Sequence, residues 1–326
     1  MTDAIVAIRN AVKPHLARLE AGDIVLVAVS GGADSLALAA AILKEANTYA
    51  ITPIGVTIDH QLQSGSAAQA EKVEKQLKEM GYGKVICKKV VVSSNSGIEA
   101  GARDARYQAL SACASQEKAT KVFLGHTRDD QAETVLLGLA RGSGTRSLSG
   151  MAVENGIYIR PLLQITRAET VAACKEVGVE PWNDPHNGNT EFSRVKVRTE
   201  ILPVMEEKLG PGIAAALARS ASILRDDADA LDEIAQIEIS RSDLTSLDCE
   251  HLSTLARAIR SRILRAAIYA AGAPSGSITA DHLAGVEALV TSWHGQGALH
   301  LPGGVKVERI SGRLSLLAQP DRKSVV

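Results

Sequence analysis

Apolar positions follow two alternating rhythms along the first part of the chain. Ala4, Ile5, Ile8, Val12, Leu16 and Leu19 recur at helical spacing. Ile24 through Val29 is an uninterrupted apolar run rich in valine, as expected of a strand buried on both faces. Helical spacing returns over 34–46, and a second buried run spans Ile51 to Ile58. A polar amphipathic helix follows over 66–80, closed by Gly81. Then come a strand from Val85 to Val92, a helix over 98–116, a strand from Lys121 to Gly125 and a helix over 129–141. Strands alternating with helices predict an α/β fold, a doubly wound parallel sheet with ligands at the carboxyl ends of its strands. A further helix is expected over 166–177. From about residue 211 the pattern changes to alanine-rich helical stretches over 211–239, 251–272 and 279–291. Short strands at 298–301, 305–310 and 314–317 follow, with glycine turns between them. Gly210-Pro211-Gly212 marks the expected division: residues 1–212 form the α/β domain, and 213–326 a smaller, mainly helical C-terminal domain.

Length and composition narrow the class. The chain has 326 residues, 45% of them hydrophobic, which is ample for a large core in about two domains. No apolar run is long enough to span a membrane. Met1-Thr2-Asp3-Ala4 lacks a secretory pattern, so the expected location is cytoplasmic, with no membrane partner. The four cysteines, Cys87, Cys113, Cys174 and Cys249, are scattered without a Cys-x-x-Cys, which argues against a zinc ribbon, an iron–sulfur site or a disulfide framework. With a formal net charge of −1, a nucleic-acid partner would have to be held by local basic patches. Candidates are Arg141 and Arg146 in a glycine- and serine-rich stretch, the alternating Arg194, Lys196 and Arg198, and Arg257, Arg260, Arg262 and Arg265 on one helix. Oligomeric state is left open, a homodimer included.

Two segments carry candidate chemistry. The first strand ends in Ser30-Gly31-Gly32-Ala33-Asp34-Ser35. Two glycines let the backbone approach a ligand closely, and the following helix N-terminus directs N–H groups and a dipole at one spot, which suits a phosphate. No Gly-Lys-Ser/Thr ends the loop, so it is not a Walker A loop. The fourth strand ends in Gly125-His126-Thr127-Arg128-Asp129-Asp130-Gln131-Ala132-Glu133-Thr134. Asp130, Glu133 and Thr134 share a helix face. Helix capping, with Asp129 or Asp130 as N-cap and Glu133 as its partner, accounts for part of this pattern. It does not require both carboxylates plus His126 at a ligand-binding edge, where such groups suit a cationic amine, a magnesium ion or proton removal.

The glycine loop resembles that of the N-type ATP pyrophosphatases, the PP-loop superfamily. Within it, the chain resembles the tRNA(Ile)-lysidine synthetase family. The resemblance rests on the loop, Ile58-Asp59-His60, Gly97-Ile98-Glu99, Ala102-Arg103, Arg106-Tyr107, His126 through Glu133 and Arg141-Gly142-Ser143-Gly144. It continues through Gly150-Met151, Arg160-Pro161-Leu162-Leu163 and Pro181-Trp182-x-Asp184-Pro185. The specific motifs cover residues 24–205. The family often has a second histidine where Thr127 stands, an arginine where Gln63 stands, and an Arg-Asn-Arg-Ile-Arg where Arg194-Val195-Lys196-Val197-Arg198 stands.

The resemblance implies ATP-dependent ligation of lysine to the 2-carbon of the wobble cytidine in the CAU anticodon of tRNA(Ile). The reaction passes through an adenylated cytidine and releases AMP and pyrophosphate. The implied ATP-binding residues are Ser30, Gly31, Gly32, Ala33, Asp34, Ser35, Asp59 and His60, with Asp34 also helping to hold Mg2+. Asp130 and Glu133 would take the amine of free lysine, Arg106 would position it, and His126 would face the nucleotide or activated base. tRNA contacts would fall to Arg141, Arg146, Arg194, Lys196, Arg198, Arg257 and Arg260. The alternatives are a PP-loop tRNA thiolase, another AMP-forming synthetase, or a non-catalytic RNA-binding module that keeps ATP as a structural ligand.

Overall fold

The structure, a computed structural model, describes residues 3–61, 65–90, 98–142, 144–182, 193–274 and 276–318. Gln63, Gly97, Ser143 and the Asn183-Asp184-Pro185 turn lie outside the described residues. The chain divides into two compact units, Met1–Arg225 and Asp226–Val326.

The first unit follows the expected alternation: α1 (Ala4–Leu16), β1 (Ile24–Ala28), α2 (Ala33–Ala46), β2 (Thr52–Asp59), α3 (Ser66–Met80), β3 (Val85–Lys89), α4 (Ile98–Glu117), β4 (Lys121–Leu124) and α5 (Arg128–Ala140). Beyond it lie a short α6 (Thr145–Leu148), a hairpin of β5 (Glu154–Asn155) and β6 (Tyr158–Ile159), and α7 (Arg167–Glu176). The unit continues with α8 (Ser193–Lys196), a π-helical turn at Val197–Ile201, α9 (Leu202–Leu209) and the start of α10 (Ile213–Ser240). Six strands pair in the order β3-β2-β1-β4-β6-β5. Leu26 of β1 pairs with Ile54 of β2 on one side and Val122 of β4 on the other, both in parallel. Side chains alternate between two cores. Val25 and Val27 pack with Ile8, Leu36, Ile42 and Phe123 on one face, and Leu26 with Val56, Leu110 and Leu124 on the other.

The sheet departs from the expected all-parallel form at one edge, where β5 and β6 pair antiparallel. Two-residue strands turning on Gly156 are too short to leave a period-2 signal in the sequence. The sheet order turns back between β1 and β4, the switch point at which a doubly wound sheet forms its ligand crevice at the carboxyl ends of the strands.

The second unit builds a sheet in the order β7-β10-β9-β8, from β7 (Ser246–Asp248), β8 (Leu299–Leu301), β9 (Val305–Ile310) and β10 (Arg313–Ala318). All its pairings are antiparallel. It packs with α11 (Cys249–Thr254), α12 (Arg257–Ala270) and α13 (Ala280–Thr291) around Leu247, Ile263, Val286, Val307 and Leu314. The helix expected over 251–272 is two helices, broken at Leu255 and Ala256, both of which are extended. Arg260 explains the break. Its guanidinium donates to the carbonyls of Leu255 at 2.9 Å and Leu252 at 3.4 Å, satisfying the end of α11. Among the described residues, no helix is long and apolar enough to cross a membrane.

Candidate active site

The glycine loop closes on itself through serines. The Ser35 hydroxyl accepts the Ser30 N–H at 3.1 Å and donates to the Gly32 carbonyl at 3.0 Å. Gly31 has φ +89, and a Cβ there would lie 2.8 Å from both Gln69 and Val73, so only glycine fits. Its carbonyl accepts the Trp182 N–H at 2.8 Å, which backs the loop from behind. Gly32 differs. A Cβ there would meet nothing nearer than Ser30 Oγ at 3.7 Å, so the space in front of the loop is open. Gly32 is also the N-cap of α2, and no side chain caps the first-turn N–H groups. An uncapped helix start beside an open cradle fits a polyphosphate.

The fourth strand brings the second segment against this loop. A Cβ on Gly125 would lie 2.9 Å from the Asp34 carbonyl oxygen and 3.0 Å from Ser35 Cα. The missing side chain lets the two strand-to-helix junctions touch. Thr127, the departure from the family pattern, is the N-cap of α5, and Asp130 is its capping-box partner. Capping is therefore real here, with Thr127 rather than Asp129 or Asp130 as the cap. Asp130 Oδ2 accepts the Thr127 N–H at 2.8 Å, which leaves Oδ1 for other partners.

Those partners are arginines. Asp130 Oδ1 lies 3.3 Å from Arg167, 3.3 Å from Arg198 and 3.6 Å from Arg194. Glu133, fully buried, accepts from Arg194 at 2.8 Å and from Arg198 at 2.6 Å. Arg194 and Arg198, expected among the RNA-facing groups, are thus turned inward onto the carboxylates. They reach together because they stand four residues apart across α8 and the π-helical turn, a local geometry frequent at functional sites. Burial raises the Asp130 carboxyl, but Arg194, His126, the Thr127 N–H and Arg167 outweigh it and hold the group below its ordinary value.

Asp34 belongs to both segments. Its Oδ1 accepts the Thr170 hydroxyl at 2.5 Å and its Oδ2 accepts Arg167 Nε at 3.3 Å. Burial nonetheless pushes its carboxyl up against Arg167 and Thr170, with Asp130 adding to the rise. His126 is pushed down to about 3 by burial first and then by Arg106, Arg160 and Arg194, against the pull of Asp130. It is a neutral imidazole at neutral pH, and its Nδ1 is buried without a partner among the described residues. Asp59 is buried at the end of β2. One of its oxygens accepts the Gln61 N–H at 2.9 Å and the other has no partner among the described residues. His60 Nδ1 and Arg106 Nε are likewise buried and unpartnered. Burial and Arg106 lower the His60 imidazole, so Arg106 stands electrostatically beside both histidines. Buried polar atoms left unpaired near strand ends suit a polar ligand.

The remaining basic residues divide. Arg141, Arg146 and Lys196 are exposed. Arg257 keeps a side chain 78% exposed while touching Glu287 at 3.1 Å. Arg260 corrects the expected RNA-facing set: it is buried, paired with Glu287 at 2.8 Å, and occupied with the end of α11. Arg167 and Thr170 were missed by sequence reasoning. Arg167 follows Arg160-Pro161-Leu162-Leu163 by four residues, but nothing in one sequence says that α7 delivers it to Asp34.

Comparison with known proteins accords with this geometry. Residues 5–205 match the PP-loop domain, and residues 247–315 match the TilS substrate binding domain. The chain is 49% identical to the tRNA(Ile)-lysidine synthase of Thermobifida fusca over 96% of this chain and 98% of that one. This chain belongs to the tRNA(Ile)-lysidine synthase family. The family enzyme of Streptomyces coelicolor is 51% identical over 91% of this chain and 86% of its own length. Among solved structures, the U34-tRNA thiolase NcsA from Methanococcus maripaludis is similar with a TM-score of 0.56. At 18% identity over 68% of this chain and 80% of that one, the likeness concerns the fold alone.

Proposed function

We propose that the chain joins lysine to the 2-carbon of the wobble cytidine in the CAU anticodon of tRNA(Ile), in two steps within the crevice between β1 and β4. ATP adenylates the 2-oxygen of the cytosine, and pyrophosphate leaves. The side-chain amine of free lysine then attacks the 2-carbon, the bond to the adenylated oxygen breaks, and AMP leaves. The observation that carries this reading is the close approach of Gly125 to the Asp34–Ser35 backbone, which sets the junction bearing the buried Asp130 and Glu133 beside the open, uncapped cradle at Gly32.

Each group then has a role. Ser30 through Ser35 hold the phosphates, and Asp59 and His60 line the nucleotide side with unpaired polar atoms. Asp130 and Glu133 receive the lysine ammonium and take its proton, since only the free amine is a nucleophile. Arg106, beside Asp130 and His126, orients lysine. His126, neutral, faces the nucleotide or the base as a donor or acceptor. Asp34 sits at the phosphate cradle and fits a divalent cation held by one carboxylate plus substrate phosphates; among the described residues, no group of three or more His, Cys, Asp or Glu forms a cage of its own. Magnesium so held would neutralise charge on the leaving pyrophosphate. In this reading residues 1–212 perform the chemistry and residues 213–326 bind tRNA in the cytoplasm, with a homodimer compatible.

Sulfur transfer is the less favoured reading. Cys113, Cys174 and Cys249 are buried, and burial pushes all four thiols up, Cys87 included, which is the wrong direction for a reactive thiolate. The test is nucleoside analysis of tRNA(Ile) after incubation with enzyme, ATP and labelled lysine. Label in lysidine is the expected result; unlabelled tRNA with intact ATP turnover would overturn the reading.

A further inference from the structure

Arg167 touches both halves of the crevice. It is the first residue of α7, whose start is fixed by the Thr166/Glu169 capping box, and its own N–H donates to Asp129 at 2.9 Å. Its guanidinium spans two carboxylates on different junctions: Nε lies 3.3 Å from Asp34 Oδ2 and Nη2 3.3 Å from Asp130 Oδ1. One carboxylate stands at the phosphate cradle and the other in the amine cluster.

The charges around Asp130 pose a difficulty for a cationic substrate. Arg167, Arg194 and Arg198, with the charge of Arg106 beside them, stand against three carboxylates: Asp130, Glu133 and, through Arg167, Asp34. An incoming ammonium meets a cationic excess unless a guanidinium gives way. Arg194 and Arg198 are anchored on fully buried Glu133 at 2.8 and 2.6 Å. Arg167 is held only at 3.3 Å on each side, and its other partner, Asp34, lies toward the cradle. A polyphosphate at the cradle carries more negative charge than Asp130, and Arg167 Nε already contacts Asp34 on that side.

We propose that Arg167 is a positioning residue that couples the two substrate sites: polyphosphate at the loop draws its guanidinium off Asp130 and so opens Asp130 to the ammonium of lysine. The inference rests on the reading of Asp130 as an amine-binding group. It favours the state in which nucleotide and lysine are bound together over either alone. Because the coupling is a linkage between two binding equilibria, it is reciprocal: each ligand tightens the other by the same factor, about tenfold for a coupling of ordinary size.

Calorimetric titration of lysine into the full chain, with and without α,β-methylene ATP, tests it. The wild-type chain should bind lysine about tenfold more tightly with the analogue present, and the analogue about tenfold more tightly with lysine present. Arg167→Gln should bind lysine equally with and without the analogue, at an affinity near that of the nucleotide-loaded wild type. Arg167→Lys keeps a charge but cannot fork across two carboxylates, so it too should lose the coupling, and it serves if the glutamine variant does not fold. A merely structural arginine would lower both affinities and leave their ratio unchanged. A wild-type ratio of one, or an undiminished ratio in either folded variant, overturns the proposal. Asp130→Asn separates the two readings. Undiminished lysine affinity in that variant sinks the amine-site assignment, whereas lost affinity alongside an intact ratio in the Arg167 variants sinks only the coupling.

Discussion

Asp130 divides its two oxygens between local structure and chemistry. Oδ2 closes the start of α5 on Thr127, and Oδ1 faces the guanidinium cluster. Asp130→Asn keeps an acceptor for the cap while removing the charge and the base. The variant should bind ATP and tRNA, form lysidine about a hundredfold more slowly, and need more lysine. Glu133→Gln should act in the same direction, and the double variant should lose less than the product of the single losses, because both groups serve one amine. Lysine incorporation against lysine concentration, alongside pyrophosphate release, reads these effects. If Asp130→Asn loses ATP binding and keeps its lysine requirement, the residue belongs to the nucleotide. His126 makes a separate prediction about pH. Its imidazole falls from 6.5 to about 3 on folding, so the unfolded chain binds the proton more tightly. The neutral ring does not oppose folding above pH 6.5, and stability drops as pH falls from there toward about 3. His126→Gln should flatten the decline in urea midpoint across the upper part of that window. Superimposable profiles for variant and wild type would show that the ring protonates normally in the fold.

At the scale of elements, the sequence made some features legible and hid others. β1 announces itself because a strand buried on both faces is an unbroken apolar run, and β2 and β4 through the shorter clusters Ile54-Gly55-Val56 and Val122-Phe123-Leu124. The loop and the Asp130/Glu133 segment were legible because both are continuous in sequence and stand at strand ends. The β5–β6 hairpin was not, since two residues per strand carry no period. The break between α11 and α12 was hidden because Arg260, 9% exposed, looks in sequence like any helical surface arginine until tertiary packing pairs it with Glu287. The inward turn of Arg194 and Arg198 was hidden for the same reason. Two glycines separate what holds the elements together from what binds. Gly125→Ala puts a Cβ against the backbone of α2, so the junction must spread, destabilising the chain by about 1–3 kcal/mol and weakening ATP binding with it. Gly32→Val meets open space in the protein, so it should leave the urea midpoint nearly unchanged and abolish nucleotide binding. Denaturation and nucleotide titration on both variants check this. Normal ATP affinity in a folded Gly32→Val chain would mean the loop is misassigned.

At the scale of the molecule, a chain with a net charge of −1 has to bind a polyanion through local patches. The structure shortens the list of groups that face solvent. Arg194 and Arg198 spend their charge on Glu133, and Arg260 on Glu287. Of the seven residues to which the resemblance assigns tRNA contacts, those facing solvent are Arg141, Arg146 and Lys196 in the first unit and Arg257 in the second. If these four contact tRNA phosphates, each releases counterions on binding, and affinity falls steeply with salt. Neutralising all four should therefore weaken tRNA(Ile) binding and reduce the slope of log affinity against log salt by roughly 3, taking the single-strand coefficient for each contact. The first three alone and Arg257 alone should each produce part of that change. Arg257 should do so with little loss of stability, because an exposed ion pair such as Arg257–Glu287 contributes about 0–1 kcal/mol. Arg260→Ala is the contrasting control. It removes the buried partner of Glu287, leaving the exposed Arg257 to face it, and should destabilise the fold by about 3 kcal/mol without altering the salt slope of the chain that remains folded. Filter binding across a salt series, with urea denaturation on the same variants, separates the two kinds of arginine. A salt slope that is unchanged when all four exposed charges are gone would place the tRNA contacts elsewhere on the surface.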